Sequence, residues 1–202
     1  MVKQETKRQE RGRRRIELIL DAAAHVFADV GYEAATTNSI AARADISPGS
    51  LYQFFPNKEA IAEALAARYV AELEAMHDVA LDPSLADLPL EEMLDRVVDP
   101  MVAFNLANPA SKALLNGADL SPRLAESTAH LHEAMCERVE LLIAPRAPQL
   151  NATERIRAAQ VTIQIFKALL PMVMSASRAD RAPVIRELKS ALRGYLESIE
   201  RG

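Results

Sequence analysis

Apolar residues recur at steps of three and four along most of the chain, which is the spacing of an amphipathic α-helix. The first such run places six of them on one face and ends at Gly31, where a C-terminal cap belongs: Ile16, Ile19, Leu20, Ala23, Phe27 and Val30. No segment of the sequence alternates apolar and polar residues as a half-buried strand does. The pattern therefore predicts an all-α protein whose first helix runs from about Arg15 to Gly31.

Two short helices joined by a tight turn are predicted next. Thr36 or Thr37 can cap the first of them, which breaks at Asp45. Ser47 and Pro48 read as an N-cap followed by proline at the first helical position, where the missing N–H costs nothing. A packing helix followed by two short helices makes a three-helix helix-turn-helix domain, which we expect over residues 13–57.

The rest of the chain is predicted to be a second helical domain over residues 58–202. A long helix opens at Lys58 behind the possible cap Asn57 and joins the two domains. Residues 81–89 are predicted to form a loop, and later helices are expected over about 89–107, 111–116, 121–144, 152–177 and 185–199. Pro100 and Pro171 fall inside two of them, where proline is expected to kink a helix.

Charge is distributed unevenly between the two ends of the chain. The formal net charge is −4, yet residues 1–15 hold seven Lys and Arg side chains against Glu5 and Glu10. A basic arm on an acidic body indicates a local contact with a polyanion, and a solvated, disordered tail is the alternative. We expect residues 1–12 to be a flexible basic arm.

Composition and motif searches narrow the function further. No apolar run approaches the length of a membrane span, and no secretory signal is recognised, so a cytoplasmic protein is expected. The sequence carries no phosphate-binding glycine loop, zinc-protease helix, nucleophile elbow or paired-cysteine zinc spacing. The single Cys136 and the one Glu-x-x-His pair, Glu74 with His77, do not make a site. We expect no enzyme activity, no cofactor and no metal.

The segment TTNSIAARADISPGSLYQFFPNK, residues 36–58, closely resembles the signature of the tetracycline-repressor (TetR) family. Its elements are two threonines, an Ile-Ala pair, a Ser-x-Gly-x-Leu-Tyr recognition helix, an aromatic pair and Asn-Lys. The resemblance is strong over residues 13–65 and architectural beyond about residue 70. Asp45 departs from the glycine usual in the family's turn, and aspartate tolerates the left-handed conformation at modest cost.

The resemblance implies a role in DNA binding for nine residues. Three would contact phosphates, namely Thr37, Tyr52 and Lys58, and six would face the major groove, namely Asn38, Ser47, Pro48, Gly49, Ser50 and Gln53. Six others would hold the domain together: Ile40, Ala41, Ala44, Ile46, Leu51 and Phe55.

Several of these assignments have an alternative. Tyr52 could be a core residue whose hydroxyl reaches solvent, and Lys58 could be an ordinary solvated lysine. Phe54 could cover the edge of the domain without touching DNA, and Asn38 could serve only as a helix cap.

The second domain is expected to bind a small-molecule effector and to dimerise. The resemblance implies a pocket among the middle helices, for which the candidates are Met101, Phe104, Asn105, Leu131, Met135, Phe166 and Leu170, with Gln164 and Lys167 as further polar contacts; ordinary core is the alternative. The heptad stripes of the last two helices predict a homodimer contact through Ile163, Phe166, Leu170, Leu188, Leu192 and Tyr195.

These expectations converge on a homodimeric repressor that binds a palindromic double-stranded operator and is released by a small molecule. An activator or a ligand-independent regulator is the alternative within the same class. A helical small-molecule enzyme or carrier is the alternative from another class, against which the basic arm and the signature argue.

Overall fold

The computed structural model describes residues 2–115 and 122–201 of the protein. Within these ranges the chain forms only helices. They are α1 (Val2–Ala34), α2 (Thr37–Arg43), α3 (Pro48–Tyr52), α4 (Lys58–Ala80), a 3₁₀ helix (Pro83–Asp87), α5 (Leu90–Ala107), α6 (Ser111–Leu115), α7 (Pro122–Ile143), α8 (Ala152–Ser175) and α9 (Arg181–Glu200). The all-α prediction is confirmed.

The chain divides into two compact units. The first contains Met1–Ala71 and Asn108–Glu126, and the second contains Glu72–Ala107 and Ser127–Gly202. The division falls inside α4, beyond the predicted boundary between residues 57 and 58.

The first unit is built around the helix-turn-helix. α1 packs against α2, and α2 against α3. Ile19, Ile40, Leu51, Ile61 and Leu65 are completely buried at the centre of this unit. Burying such a side chain stabilises a fold by about 1.5–3 kcal/mol, so these residues set the relative positions of the short helices.

In the second unit α8 packs against α9, and α5 packs against both. Val98, Val173 and Leu188 lie at the centre of its core, each with at most 1% of its surface exposed. At the surface of this core, the ammonium of Lys189 on α9 binds both Asp95 and Asp99 of α5 at 2.7 and 2.6 Å.

Local capping signals account for where most helices begin. The side chain of Asn151 accepts a hydrogen bond from the Glu154 backbone and the Glu154 side chain accepts from the Asn151 backbone, which forms a capping box before α8. The Asn57 side chain accepts from the Ala60 backbone at the start of α4, as predicted. Residue 121, where the next long helix is predicted to begin, lies outside the described residues.

The N-terminal arm is the largest difference from the predicted elements. α1 begins at Val2, so the segment expected to be a flexible arm consists of the first turns of a helix. Most of residues 2–12 are Lys, Arg, Glu and Gln, which are strong helix formers. Because extending an existing helix costs far less than nucleating one, the buried part of α1 can carry these turns with it.

A smaller difference is found before α5, where the predicted loop over 81–89 contains the 3₁₀ helix. Pro100 and Pro171 lie inside α5 and α8, as predicted, and the kinks expected there stay a prediction. α3 ends at Tyr52, before the aromatic pair.

α8 is long and apolar enough to cross a membrane, and it is the one such helix within the described ranges. Only 22% of its most apolar window is buried within the single chain. This observation rests on length and composition alone, and core helices of globular proteins pass the same test.

Candidate DNA-binding interface

The turn between α2 and α3 is closed by backbone contacts and one strained residue. The Ile46 N–H donates to the Ala41 carbonyl at 3.0 Å, and the Asp45 N–H to the Ala42 carbonyl at 3.2 Å. Asp45 has φ 52°, in the left-handed region that most side chains avoid. Glycine reaches this conformation at no steric cost, whereas aspartate is one of the few other residues that tolerate it. The prediction that α2 breaks at Asp45 is confirmed.

The beginning of α2 is fixed by Thr36. Its side chain accepts a hydrogen bond from the Ser39 backbone, and the Ser39 side chain accepts from the Thr36 backbone. Asn38 is therefore not the cap, and the alternative that assigned it only that role is wrong. Its side chain is exposed instead, on the first turn of α2.

α3 begins with Ser47, whose side chain accepts from the Ser50 backbone at 3.2 Å, followed by Pro48 in the first turn. This cap-plus-proline start was predicted. Ser47, Pro48, Gly49 and Gln53 are exposed, and Ser50 is half-buried. A Cβ added to Gly49 would meet no other atom within 4 Å. The first turn of α3 is therefore mostly exposed, and the space around Gly49 is open.

Thr37 and Tyr52 meet at the junction of the two short helices. Their hydroxyl oxygens lie 2.9 Å apart, and either can be the donor. Tyr52 is 51% exposed, so the alternative that it is a core residue is wrong. α2 and α3 thus bring two of the three predicted phosphate contacts together in one exposed hydroxyl pair.

Lys58, the third predicted phosphate contact, is tied to the end of α1. Its ammonium donates to the carbonyls of Tyr32 and Glu33 at 2.9 and 3.3 Å, and it lies 4.3 Å from the centre of the Tyr32 ring. The alternative of an ordinary solvated lysine is therefore wrong. A cation at these carbonyls also complements the negative end of a helix.

The Tyr32 and Glu33 carbonyls follow a break in α1 at Gly31, which has φ 78°. The spacing of apolar residues in the sequence predicted this glycine as the end of the helix. A side chain would be strained in that conformation, whatever space surrounds it. Since an ammonium has three donors, Lys58 can hold this junction and still present an N–H to a phosphate.

The residues predicted to hold the domain together are mostly buried. Five are buried, namely Ile40, Ala41, Ala44, Leu51 and Phe55, while Ile46 is half-buried. Phe54 is half-buried as well, which is consistent with a residue at the edge of the domain.

The family is decided by comparison with known proteins. Residues 19–65 match the model of bacterial regulatory proteins of the tetR family, and residues 89–196 match the tetracyclin repressor-like C-terminal domain. The protein belongs to the TetR family. It is a DNA-binding transcriptional regulator and not an enzyme.

Individual TetR-family relatives resemble the chain over different lengths. An uncharacterized HTH-type transcriptional regulator of Bacillus subtilis (strain 168), YhgD, is 33% identical over 90 residues, which are 45% of this chain and 46% of that protein. The chain thus spans about half the length of this curated relative. An HTH-type transcriptional regulator of Mycobacterium tuberculosis (strain CDC 1551 / Oshkosh) is 26% identical over 88% of this chain and 92% of its own.

A solved TetR-family structure from Rhodococcus RHA1 superimposes with a TM-score of 0.66 at 26% identity, covering 89% of this chain and 95% of that one. The structural likeness extends through the second unit, where the sequence itself shows little resemblance to the family's signature. It therefore confirms the TetR architecture for the helical domain as well as for the helix-turn-helix.

The predicted effector residues lie in the second unit, on three of its helices. Met101, Leu131 and Leu170 are buried, whereas Phe104, Asn105, Met135 and Phe166 are half-buried. The Asn105 side chain donates to the Met101 carbonyl one turn before it on α5, at 2.8 Å.

Most of the predicted dimer residues are buried within the single chain. Ile163, Leu170, Leu188 and Leu192 are 1–8% exposed, while Phe166 and Tyr195 are half-buried. The first four therefore do not need a second copy to be buried, because α5, α8 and α9 cover them with their own core.

Two features of the second unit were missed by sequence analysis. His77 is buried, and its Nδ1 atom has no hydrogen-bond partner among the described residues. Lys167 and His132, from α8 and α7, approach each other to 3.0 Å. Neither leaves a signal in residue spacing, because each depends on contacts between helices distant in sequence.

Proposed function

We propose that this TetR-family member is a cytoplasmic, homodimeric repressor that binds a palindromic operator and leaves it when a small-molecule effector binds. The observation that carries the DNA-binding part is the exposed Thr37–Tyr52 hydroxyl pair beside the open first turn of α3. The effector and the dimer are properties of the family that we extend to this chain.

The hydroxyl pair supports a phosphate contact. Two hydroxyls 2.9 Å apart share one hydrogen, which leaves the other O–H free to donate outward. Phosphate oxygens accept such hydrogen bonds and thereby set the register of a protein on the duplex. We therefore assign Thr37 and Tyr52 jointly to one phosphate, with Lys58 adding charge beside it.

Gly49 supports a close approach to the bases. Glycine inside a helix costs about 1 kcal/mol relative to alanine, and neither its surroundings nor its backbone requires glycine here. The missing side chain at Gly49 is an advantage only when another molecule approaches α3 closely. Asn38 and Gln53 are exposed, and the same close approach would place their side chains against the major groove.

A homodimer is supported by the surface of the last two helices. With its core residues turned inward, α8 still exposes Ile156 and Met172, at 47% and 56%. We propose that a second copy packs against these helices through exposed apolar side chains of α8 and the half-buried Phe166 and Tyr195, in place of the buried stripe. Two half-sites about 34–36 Å apart would then be bound at once.

Operator binding tests the proposal directly. Fluorescence anisotropy with the DNA upstream of the protein's own gene should show specific, salt-dependent binding. Tyr52→Phe should weaken it for every sequence, whereas Lys58→Met, which removes a charge, should reduce the slope of log affinity against log salt by roughly 0.9 if its phosphate contact is lost. Ser84→Ala removes an exposed hydroxyl from the second unit, outside α8 and α9, and serves as the control. Wild-type operator affinity in Tyr52→Phe would refute the phosphate assignment.

Gly49→Ala separates contact with DNA from stability. We expect operator affinity to fall about tenfold or more while the folded protein gains up to about 1 kcal/mol. The matched control is Gly194→Ala on α9, since a Cβ there also meets nothing within 4 Å. Gly194→Ala should gain stability and bind the operator normally. Equal operator affinity in both variants would contradict the close approach.

The regulatory sense is tested with a reporter gene behind the bound DNA. Repression predicts higher expression when the regulator gene is deleted, whereas activation predicts lower expression. Thermal-shift screening of small molecules, followed by operator release with each hit, tests the effector. Release by none of the molecules that stabilise the protein would remove ligand-induced release from the proposal.

A further inference from the structure

A lysine and a histidine meet on the second unit, and the part of the chain that the structure describes offers them no carboxylate partner. α7 and α8 run antiparallel, since Arg155 binds Glu140 at 2.7 Å near one end of their seam and Lys167 contacts His132 further along. The first contact is an ion pair. The second joins Lys167 Nζ to His132 Nδ1 at 3.0 Å, and no carboxylate of the described residues lies within ion-pair distance of either.

The charges at this contact are unbalanced. Two protonated groups at such a distance would repel each other strongly, so the imidazole is neutral and its Nδ1 accepts a hydrogen bond from the ammonium. The pKa of His132 is lowered, mainly by partial burial and then by the charge of Lys167. Partial burial also lowers the pKa of Lys167. The site thus holds one positive charge that no described residue neutralises.

The unused donors of the site suit an anion. Lys167 retains two N–H donors, and neutral His132 with an acceptor at Nδ1 carries its proton on Nε2. Gln164 is exposed one turn before Lys167 on α8 and adds an amide. Charge-assisted N–H groups of this kind bind carboxylate oxygens well. One turn along the same faces of α7 and α8 are the apolar Met135 and Leu170, of which Met135 is half-buried.

We propose that Lys167 and His132 bind the carboxylate of an anionic effector whose remaining part is apolar. This inference rests on the proposed function, because it names the chemical class of the effector. The residues act as binding groups for the ligand, and the apolar side chains adjoining them on α7 and α8 receive its body.

Binding of matched probes to the full-length protein tests this assignment. Octanoate and octan-1-ol share the apolar chain and differ in the carboxylate, and benzoate supplies a second carboxylate. Calorimetry should show at least tenfold tighter binding of octanoate than of octan-1-ol. Lys167→Met should remove that preference and leave octan-1-ol unchanged, whereas the control Arg157→Met, which removes a charge from the same helix, should retain it. Saturation with octanoate should raise the pKa of His132, measured by NMR.

Three binding results would overturn the proposal. They are the absence of binding by both octanoate and benzoate, equal affinity for octanoate and octan-1-ol, and undiminished octanoate binding by Lys167→Met. Weaker dimerisation of Lys167→Met in sedimentation, with no carboxylate bound by the wild type, would assign the pair to a second copy and also overturn it. Operator binding without any probe is measured separately, so its failure would refute the proposed function and not the carboxylate site.

Discussion

Acid should destabilise the folded protein through His77. This side chain on α4 is 7% exposed, and its Nδ1 atom finds no hydrogen-bond partner among the described residues. Its pKa is lowered from 6.5 to about 4, mainly because burial disfavours the charged form and secondly because Arg138 is close. The carboxylate of Asp78, which pairs with Arg138, opposes this shift without cancelling it.

The sign and size of the effect follow from proton linkage. Because the pKa is lower in the folded state, the unfolded chain takes up the proton first. The contribution to the free energy of unfolding is complete above about pH 6.5 and is lost as the pH falls towards 4. At about 1.36 kcal/mol per pKa unit, the loss between pH 8 and pH 5 is roughly 2 kcal/mol.

Urea unfolding of the wild type and His77→Leu at pH 8 and pH 5 measures this loss. Leucine has a similar volume and neither titrates nor leaves a buried nitrogen unpaired, so the variant should lose roughly 2 kcal/mol less on acidification. His132, whose lowered pKa acts in the same direction, contributes to both proteins and cancels in the comparison. His130→Leu, at an exposed histidine, is the control. If His77→Leu loses as much stability as the wild type, burial of a neutral His77 is not the cause.

Three further predictions concern the first unit. Asp45→Gly should raise the free energy of unfolding by about 1 kcal/mol by relieving the positive φ, and a lower urea midpoint would contradict this. Lys58→Met should lower the free energy of unfolding by about 1–2 kcal/mol, because the Tyr32 carbonyl and ring lose their cation. Unchanged stability together with a smaller slope of log operator affinity against log salt would instead assign Lys58 to phosphate alone. Removing residues 1–12 should weaken operator binding and preserve the fold, and loss of cooperative unfolding would show that these turns are structural.

The helix-turn-helix could be predicted in detail because its signals are local. Ser47 with Pro48 marks the start of α3, Gly31 ends the main part of α1, and Asp45 ends α2. A cap satisfies backbone groups within about four residues, so short stretches of sequence contain both partners of each such contact. Recognition of the TetR family rests on the same stretch. The arm shows the limit of such signals, since charge alone does not separate a helix from a flexible segment.

The contacts that give the candidate sites their chemistry were decided by the tertiary structure. The hydroxyls of Thr37 and Tyr52 come from different helices, and Lys167 meets His132 across 35 positions of sequence. The heptad stripe of α8 and α9 predicted apolar burial correctly, but the same spacing serves a partner within the chain or in a second copy. Leu188 and Leu192 are buried by their own chain, because α5 packs against both helices and covers that face.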